Sequence, residues 1–445
     1  MPARRTLRHP ARLVPFAFFC AIVVGTVLLA LPISKQGEGG APLLTALFTA
    51  TSAVCVTGLI TVDTATYWSP FGHVMILLLI QTGGFGIMTL ATLLGLLVSR
   101  RLGLATRLVA QAETKTLALG EVRRVLGRIA LTILTVEAVV AALLTLRFHF
   151  GYAMSAGDAL WHGVFHSISS FNNAGFALYS DNMIGFVDDP WICLPLVIGV
   201  VLGGIGFPVL FELRRELHMP RRWTTHTKIT VYGSLVLLSL GTLAVLVLEW
   251  ANPRTLGRLD VAGKLLASFF HGAMPRTAGF NAIDYADAEP ATLAVTDALM
   301  FIGGGSAGTA GGVKVTTFFL LAFVIWTEVR GETDVNVFRR RLGAVPQRQA
   351  LTVALLGVAV VAFGTLTLLV LTEHSMDAVL FEVISAFATV GLSTGITGTL
   401  PAGAQLVLVM LMFVGRVGTI TVGTALALRT RHRLYRLPEE RTIVG

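Results

Sequence analysis

Residues Phe171–Tyr179 read FNNAGFALY, and a near copy, RTAGFNAID, follows at Arg276–Asp284. A polar, glycine-centred segment is out of place in a chain that is 54% apolar and 13% charged, about half the charge of a soluble protein. Two more copies exist. The four endings are VTGL at Val56–Leu59, NAGF at Asn173–Phe176, TAGF at Thr277–Phe280 and TVGL at Thr389–Leu392. Ten residues before each glycine stands a phenylalanine (Phe48, Phe165, Phe269, Phe381), and six before it a small residue (Ser52, Ser169, Ala273, Ser385). Such a constant spacing is the mark of a fourfold internal repeat.

Each ending closes a half-apolar segment, Pro42–Cys55, Asp158–Phe171, Asp260–Ala273 or Met376–Ala388. A helix of that length reaches roughly 20 Å, whereas a bilayer crossing needs about 30 Å. These segments can enter a membrane but not span it. Around them lie eight long apolar runs: Leu13–Leu31, His73–Val98, Ile129–Leu146, Trp191–Leu210, Ile229–Glu249, Ala291–Ile325, Leu351–Leu371 and Gln405–Leu428. The first is longer than the ~7–15-residue core of a signal peptide and is expected to be retained. A second glycine set, TGGFG (Thr82–Gly86), LGGIG (Leu202–Gly206), IGGGS (Ile302–Ser306) and VGRVG (Val414–Gly418), marks the second long helix of each unit. The expected fold is therefore an all-α integral membrane protein. It has four tandem helix–re-entrant pore helix–helix repeats, hence eight transmembrane helices, around a central pore. The repeats run over 13–98, 123–212, 226–326 and 348–428, with a cytoplasmic tail at 429–445.

Of 34 Lys and Arg, 26 fall before the first run, in 100–128, 214–228 and 330–348, or from Arg429 onward. All these ends are reached after an even number of crossings, which makes them, and both termini, cytoplasmic. Charge spread over five separate places suits anionic lipid or an acidic cytosolic partner and argues against nucleic acid. Cys20, Cys55 and Cys193 form no CxxC pair, so neither a disulfide framework nor a zinc site is expected. His162 and His166 lack the glutamate of an HExxH pair and read as pore-helix packing. Glu137 and Asp297 read as buried residues that pair structurally.

Irregular backbone at membrane depth is tolerated only where it is buried in protein or lines a wet cavity. Glycine admits positive φ, which turns successive carbonyls the same way. Four such loops around one axis make carbonyl rings that replace the hydration shell of a monovalent cation. The candidate filter residues are Val56, Thr57 and Gly58; Asn173, Ala174 and Gly175; Thr277, Ala278 and Gly279; Thr389, Val390 and Gly391. Asp63, Asp181 and Asp284 follow three of the glycines, and Ile396 stands in the fourth copy. The three acids read equally as a cation-concentrating outer mouth and as ordinary polar loop residues. No nucleophile–base or metal constellation suggests an intramembrane enzyme. A coupled secondary transporter of another cation or small solute is the alternative, since such folds also break helices at the midplane, but in two inverted halves rather than four same-sense quarters.

Four degenerate loops with one glycine each resemble the Trk/Ktr/HKT superfamily of potassium transporters. The resemblance covers essentially the whole chain, and with no extra N-terminal helix pair it is closest to the bacterial KtrB membrane subunits. It implies potassium as the transported ion, sodium as an activator, and a homodimer with one pore per subunit in the bacterial inner membrane. It also implies a cytosolic KtrA-like nucleotide-binding regulatory ring, so that nucleotide acts only through a separate subunit. Docking of that ring is expected on basic loops such as Arg339–Arg341. Gly58 in the first loop resembles the potassium-selective members, since serine there marks sodium-preferring relatives.

Phe301–Phe319, FIGGGSAGTAGGVKVTTFF, holds six glycines within Gly303–Gly312. Each costs a helix about 1 kcal/mol relative to alanine, so a regular helix cannot persist. A phosphate loop is excluded because Val313 separates Gly312 from Lys314. The segment resembles the family's intramembrane gating loop, with Gly303, Gly304, Gly305, Ser306, Gly308, Thr309, Gly311, Gly312 and Lys314 as its residues. Arg416 replaces a glycine of the matching motif in the fourth copy. A charge there is costly and marks a functional site; the matching family arginine lies beside the gating loop.

Overall fold

The computed structural model describes residues 10–102 and 117–418. The basic segment 1–9, much of the 100–128 loop, the end of the eighth apolar run and the 429–445 tail lie outside the described residues. Helix α1 (Pro10–Ala30) precedes the first re-entrant helix α2 (Leu43–Val54), and α3 (Pro70–Leu102) closes that unit. The second unit is α4 (Leu117–Tyr152), the re-entrant α5 (Ala156–Phe171), α6 (Pro190–Gly204) and α7 (Phe207–Glu216). The third is α8 (Thr225–Glu249), the re-entrant α9 (Val261–Ala273), α10 (Pro290–Phe301) and α11 (Val315–Val329). The fourth is α12 (Ala344–Leu371), the re-entrant α13 (Met376–Ala388) and α14 (Ala402–Phe413), which runs into a π-helical turn, Val414–Gly418. A two-stranded hairpin, β1 (Asn336–Val337) with β2 (Arg340–Arg341), joins the third unit to the fourth.

Among the described residues, four helical stretches are long and apolar enough to cross a membrane: Pro70–Thr89, Arg124–Gly151, Thr225–Glu249 and Ala344–Leu371. Two of the apolar runs are broken, one that reads as a continuous span and one whose glycines already predict a break. Trp191–Leu210 divides into α6 and α7, which meet at 104°. Gly206 makes the corner at φ +96°, with the Ser306 carbonyl occupying the place where its Cβ would stand. Ala291–Ile325 divides into α10 and α11 around the glycine segment. The long helices carry exposed apolar side chains, among them Leu131, Leu240, Phe363 and Val370. An apolar helix with such a face needs lipid as its solvent.

The re-entrant helices start where water is expected. Ser155, Asp260 and Ser375 accept the amides of Asp158, Gly263 and Ala378 and cap α5, α9 and α13. Each lies against the long helix before it: α1 on α2, α4 on α5, α8 on α9, α12 on α13. Each closing helix also packs on the next unit's re-entrant helix, α3 on α5, α6 on α9, α10 on α13, and α14 on α2. The last contact closes the circle. Two hydrophobic clusters fill it, one dominated by the first and fourth units and the other by the second and third.

The second glycine set permits this closure. A Cβ on Gly83, Gly203 or Gly415 would run into the carbonyl oxygen of Val54, Phe171 or Phe387, in each case four residues before the filter glycine. Gly83→Ala is expected to destabilise the folded protein by about 1–3 kcal/mol through overpacking. Gly86→Ala, whose Cβ meets nothing within 4 Å, is the control and should be neutral. Thermal denaturation in detergent checks both; equal midpoints would remove the packing argument.

Candidate functional site: a closed ring of four glycine loops

The four sequence-predicted loops meet. A Cβ added to Gly58 would strike the Ala174 carbonyl oxygen, and one on Gly175 the Ala278 oxygen. One on Gly279 would strike the Val390 oxygen, and one on Gly391 the Thr57 oxygen. Each glycine thus faces the carbonyl of the next loop, and the order 58, 175, 279, 391 returns to 58. All four have positive φ, at 93°, 71°, 69° and 96°. Two residues earlier Val56, Asn173, Thr277 and Thr389 also have positive φ, between 51° and 79°. For the three β-branched residues this is a strained conformation. Spacing marked the glycines but not this second left-handed position; only a preference for asparagine at 173 hinted at it.

Three of the small residues six before the glycine, the serines, bond to the ring loops. Ser52 Oγ accepts the Gly58 amide at 3.0 Å, and Ser385 Oγ accepts the Gly391 amide at 3.1 Å. Ser169 Oγ donates instead to the Phe176 carbonyl, at 2.8 Å. The amides of Thr57, Ala174 and Val390 bond to the carbonyls of Ser52, Ser169 and Ser385 at 2.7–2.8 Å. Ala278 departs from this pattern and bonds to Met274, as the loop whose small residue is Ala273. The re-entrant helices point their C-termini at the ring. Their partial negative charge favours a cation there.

Outside the ring lies a cavity of about 440 Å³, lined by Gly58, Gly175 and Gly391 and by all three acids, Asp63, Asp181 and Asp284. Each acid also caps a local turn: Asp63 accepts the Ala65 amide, Asp181 that of Gly185, and Asp284 that of Ala286. Asp63 further accepts from Ser180 Oγ at 2.6 Å, which ties the first unit to the second. Both readings of these residues therefore have a structural basis. In the fourth unit, where Ile396 stands in place of an outer aspartate, α13 carries a fully buried acid, Glu382, that spacing does not mark. It accepts from Ser393 Oγ, Thr397 Oγ1 and the Thr394 amide.

On the other side of the ring runs the segment 302–314. Ile302 pairs with Val313 in a parallel bridge, and the bonds Gly303 N to Val313 O (2.8 Å) and Val315 N to Gly304 O (3.0 Å) close the two ends of the loop on each other. It docks on the break in the second unit: the Gly305 amide bonds to Gly204 O at 2.8 Å and the Thr309 amide to Gly203 O at 3.1 Å. Thr309 Oγ1 lies 3.0 Å from the side-chain amide of Asn173. A Cβ on Gly311 would meet Thr389 Oγ1. The loop thus touches the first residue of two filter strands. Gly308 and Gly312 are buried in it, and Ser306 Oγ is 3.1 Å from Thr316 Oγ1.

Arg416 is 2% exposed and donates through Nη1 to the Thr309 carbonyl. Its Nε and Nη2 have no partner among the described residues. Lys314 Nζ donates to the carbonyls of Ala310 (2.5 Å) and Gly311 (3.2 Å). Among the described residues neither cation forms an ion pair. Glu137 bonds to Gln81 (3.2 Å) and Asn172 (3.1 Å), and Asp297 Oδ1 has no hydrogen-bond partner there. No cluster of three metal-ligating side chains occurs among the described residues. Cys55 and Cys193 are buried and free.

Four re-entrant loops closing on a ring of backbone carbonyls, in a shell of lipid-facing helices, define a membrane protein of the ion-translocating class. The chain belongs to the TrkH family of cation transport proteins, whose model matches residues 18–432, and it is accordingly a transport protein and not an enzyme. It is 37% identical to the Ktr system potassium uptake protein B of Bacillus subtilis strain 168, over 98% of this chain and 97% of that one. It is 36% identical to the protein of the same name from Vibrio alginolyticus (98% and 94%). The Potassium/sodium uptake protein NtpJ of Enterococcus hirae is 33% identical (98% and 97%). The crystal structure of the potassium transporter TrkH from Vibrio parahaemolyticus superposes with a TM-score of 0.68 at 19% identity, covering 94% of this chain and 85% of that one.

Proposed function

We propose that the chain is the ion-translocating subunit of a Ktr-type system, taking up potassium through the ring around Gly58, Gly175, Gly279 and Gly391. The observation that carries this is the closed circle of glycine-to-carbonyl approaches. In it each unit's glycine packs against a backbone carbonyl of the next, the arrangement that a ring of carbonyl ligands for a dehydrated monovalent cation would need. The segment Gly303–Gly312 acts as its gate, and Asp63, Asp181 and Asp284 concentrate cations at the outer mouth. The architecture is eight crossings with both termini cytoplasmic, α6–α7 and α10–α11 being broken ones, in the bacterial inner membrane. Sodium stimulates transport. Rubidium influx into proteoliposomes, with and without sodium, tests the reading. Saturable influx blocked by potassium is expected; influx blocked by an organic solute, or none at all, would overturn it.

The transporter works as a homodimer carrying a cytosolic nucleotide-binding ring. In support, Arg339 and Arg340 join Arg221, Arg222 and Lys228 around a cavity of about 1060 Å³, beside Trp223 and Phe338. The charge would steer an acidic surface to this face. Arg339→Glu combined with Arg340→Glu is expected to cut co-purification of the cytosolic subunit by about tenfold or more, the cost of two reversed charges at an interface. Retention at the wild-type level, or a monomer with no partner in mild detergent, would count against it.

A further inference from the structure

Behind three of the four filter loops, a buried polar side chain of the re-entrant helix reaches past the glycine and receives a backbone amide on its far side. Glu382 accepts the Thr394 amide at 3.0 Å, and Ser393 Oγ and Thr397 Oγ1 at 2.5 and 2.7 Å. His166 Nε2 accepts the Leu178 amide at 3.2 Å, so its Nδ1 carries the hydrogen and donates to the His162 carbonyl at 2.8 Å. His271 Nε2 accepts the amides of Ala282 and Ile283, both at 3.1 Å, while its Nδ1 lies 2.9 Å from the Tyr285 hydroxyl. All three side chains are 0% exposed.

The register shows that these are one device. Leu178, Ala282 and Thr394 each stand three residues after their filter glycine. His166 and Glu382 stand nine before it, directly after the common phenylalanine, and His271 eight before it. The one-residue slip falls in the unit whose Ala278 amide also bonds out of pattern. Side chains of two chemical kinds, imidazole and carboxylate, on three helices thus make the same bond at the same place, which packing alone does not demand. In the first unit the position is Thr49, and no hydrogen bond joins it to Thr61 among the described residues.

We propose that Glu382, His166 and His271 are positioning residues for ion discrimination. Each holds the strand just beyond its glycine at a fixed distance from the re-entrant helix. The second and fourth strands are then held on both sides, by the serine-anchored amides of Ala174 and Val390 before the glycine and by these acceptors after it, and the third is held after its glycine by His271. A ring pinned in this way cannot contract around a smaller cation. Glu382, with donors from Ser393, Thr394 and Thr397 on one carboxylate, bears most of the restraint, and it does so in the unit that lacks an outer aspartate. The inference rests on the filter reading proposed above.

The test uses the full-length protein in proteoliposomes, reading rubidium influx and its competition by sodium per folded protein. Glu382→Gln keeps an oxygen for the Thr394 amide, and Glu382→Leu removes every acceptor. The glutamine variant is expected to stay within about twofold of wild type, and the leucine variant to lose roughly tenfold in rubidium-over-sodium discrimination, the effect of one charge-assisted hydrogen bond. His271→Gln and His271→Leu should rank the same way. Wild-type discrimination in the leucine variants overturns the proposal. If Glu382→Leu does not fold, His166→Leu and His271→Leu decide, and wild-type discrimination in both overturns it as well. A wild-type protein that does not prefer rubidium, with Gly391→Ser unchanged, instead defeats the filter reading, so the two failures are distinct.

Discussion

Serine at Gly391 is expected to lower potassium affinity, or its discrimination against sodium, by at least roughly tenfold, with rubidium influx as the readout. Two physical terms act together. At φ 96° the new Cβ meets an unfavourable backbone conformation, costing about 1–2 kcal/mol. It also points at the Thr57 carbonyl of the neighbouring loop, which has nowhere to go because the Thr57 amide is itself held by Ser52. The hydroxyl then competes for the ligand position. Gly58→Ser and Gly279→Ser should behave alike, since each Cβ meets a neighbour's carbonyl just as closely. Gly175→Ser should be the mildest, as its nearest atom, Ala278 O, stands at 2.7 Å. Wild-type affinity and discrimination in all four variants would end the filter assignment.

Arg416→Ala is expected to raise flux per folded protein by about tenfold or more, the effect of losing one hydrogen bond made by a charged donor. Its guanidinium holds the Thr309 carbonyl, and Thr309 in turn touches Asn173 at the entrance of the second filter strand. If the ring is the filter and Gly303–Gly312 its gate, as proposed, a positive charge beneath it repels the ion and the same group tethers the gating loop. Removing Arg416 releases both. Deleting part of Gly303–Gly312 should act similarly, and the two changes should not add, because they free one element. Glu137 is not left unpaired by the change, since its partners are Gln81 and Asn172. Influx no higher than wild type in either single variant would move the gate elsewhere.

Much of this molecule is written locally. Four phenylalanine–small–glycine spacings mark four equivalent short helices, because a helix ten or so residues long ending in glycine is too short to cross a bilayer and must be buried in protein or line a cavity. The charge pattern and the glycine run around Gly303 are equally local signals, set by solvation and by backbone entropy. Hydropathy misleads where a run is apolar but bent. Gly203, Gly204, Gly206 and Pro208 weaken the helix in Trp191–Leu210, but the 104° corner itself depends on the Ser306 carbonyl arriving from another unit against Gly206.

What only the tertiary structure decides is which atoms share a ring. The sequence places Gly58, Gly175, Gly279 and Gly391 at equal register in separate units, yet their closure depends on α14 packing back on α2. The left-handed turns at Val56, Thr277 and Thr389 are invisible beforehand, since β-branched residues prefer other conformations and adopt these only where surrounding contacts enforce them. His162 and His166 read as packing, but the Leu178 amide turns His166 into an acceptor behind the filter. Glu382 was passed over for the same reason: a buried acid acquires its role from the donors folded around it, here Ser393, Thr394 and Thr397. Spacing along a chain specifies the units, and the partners of a polar side chain exist only once those units have closed on one another.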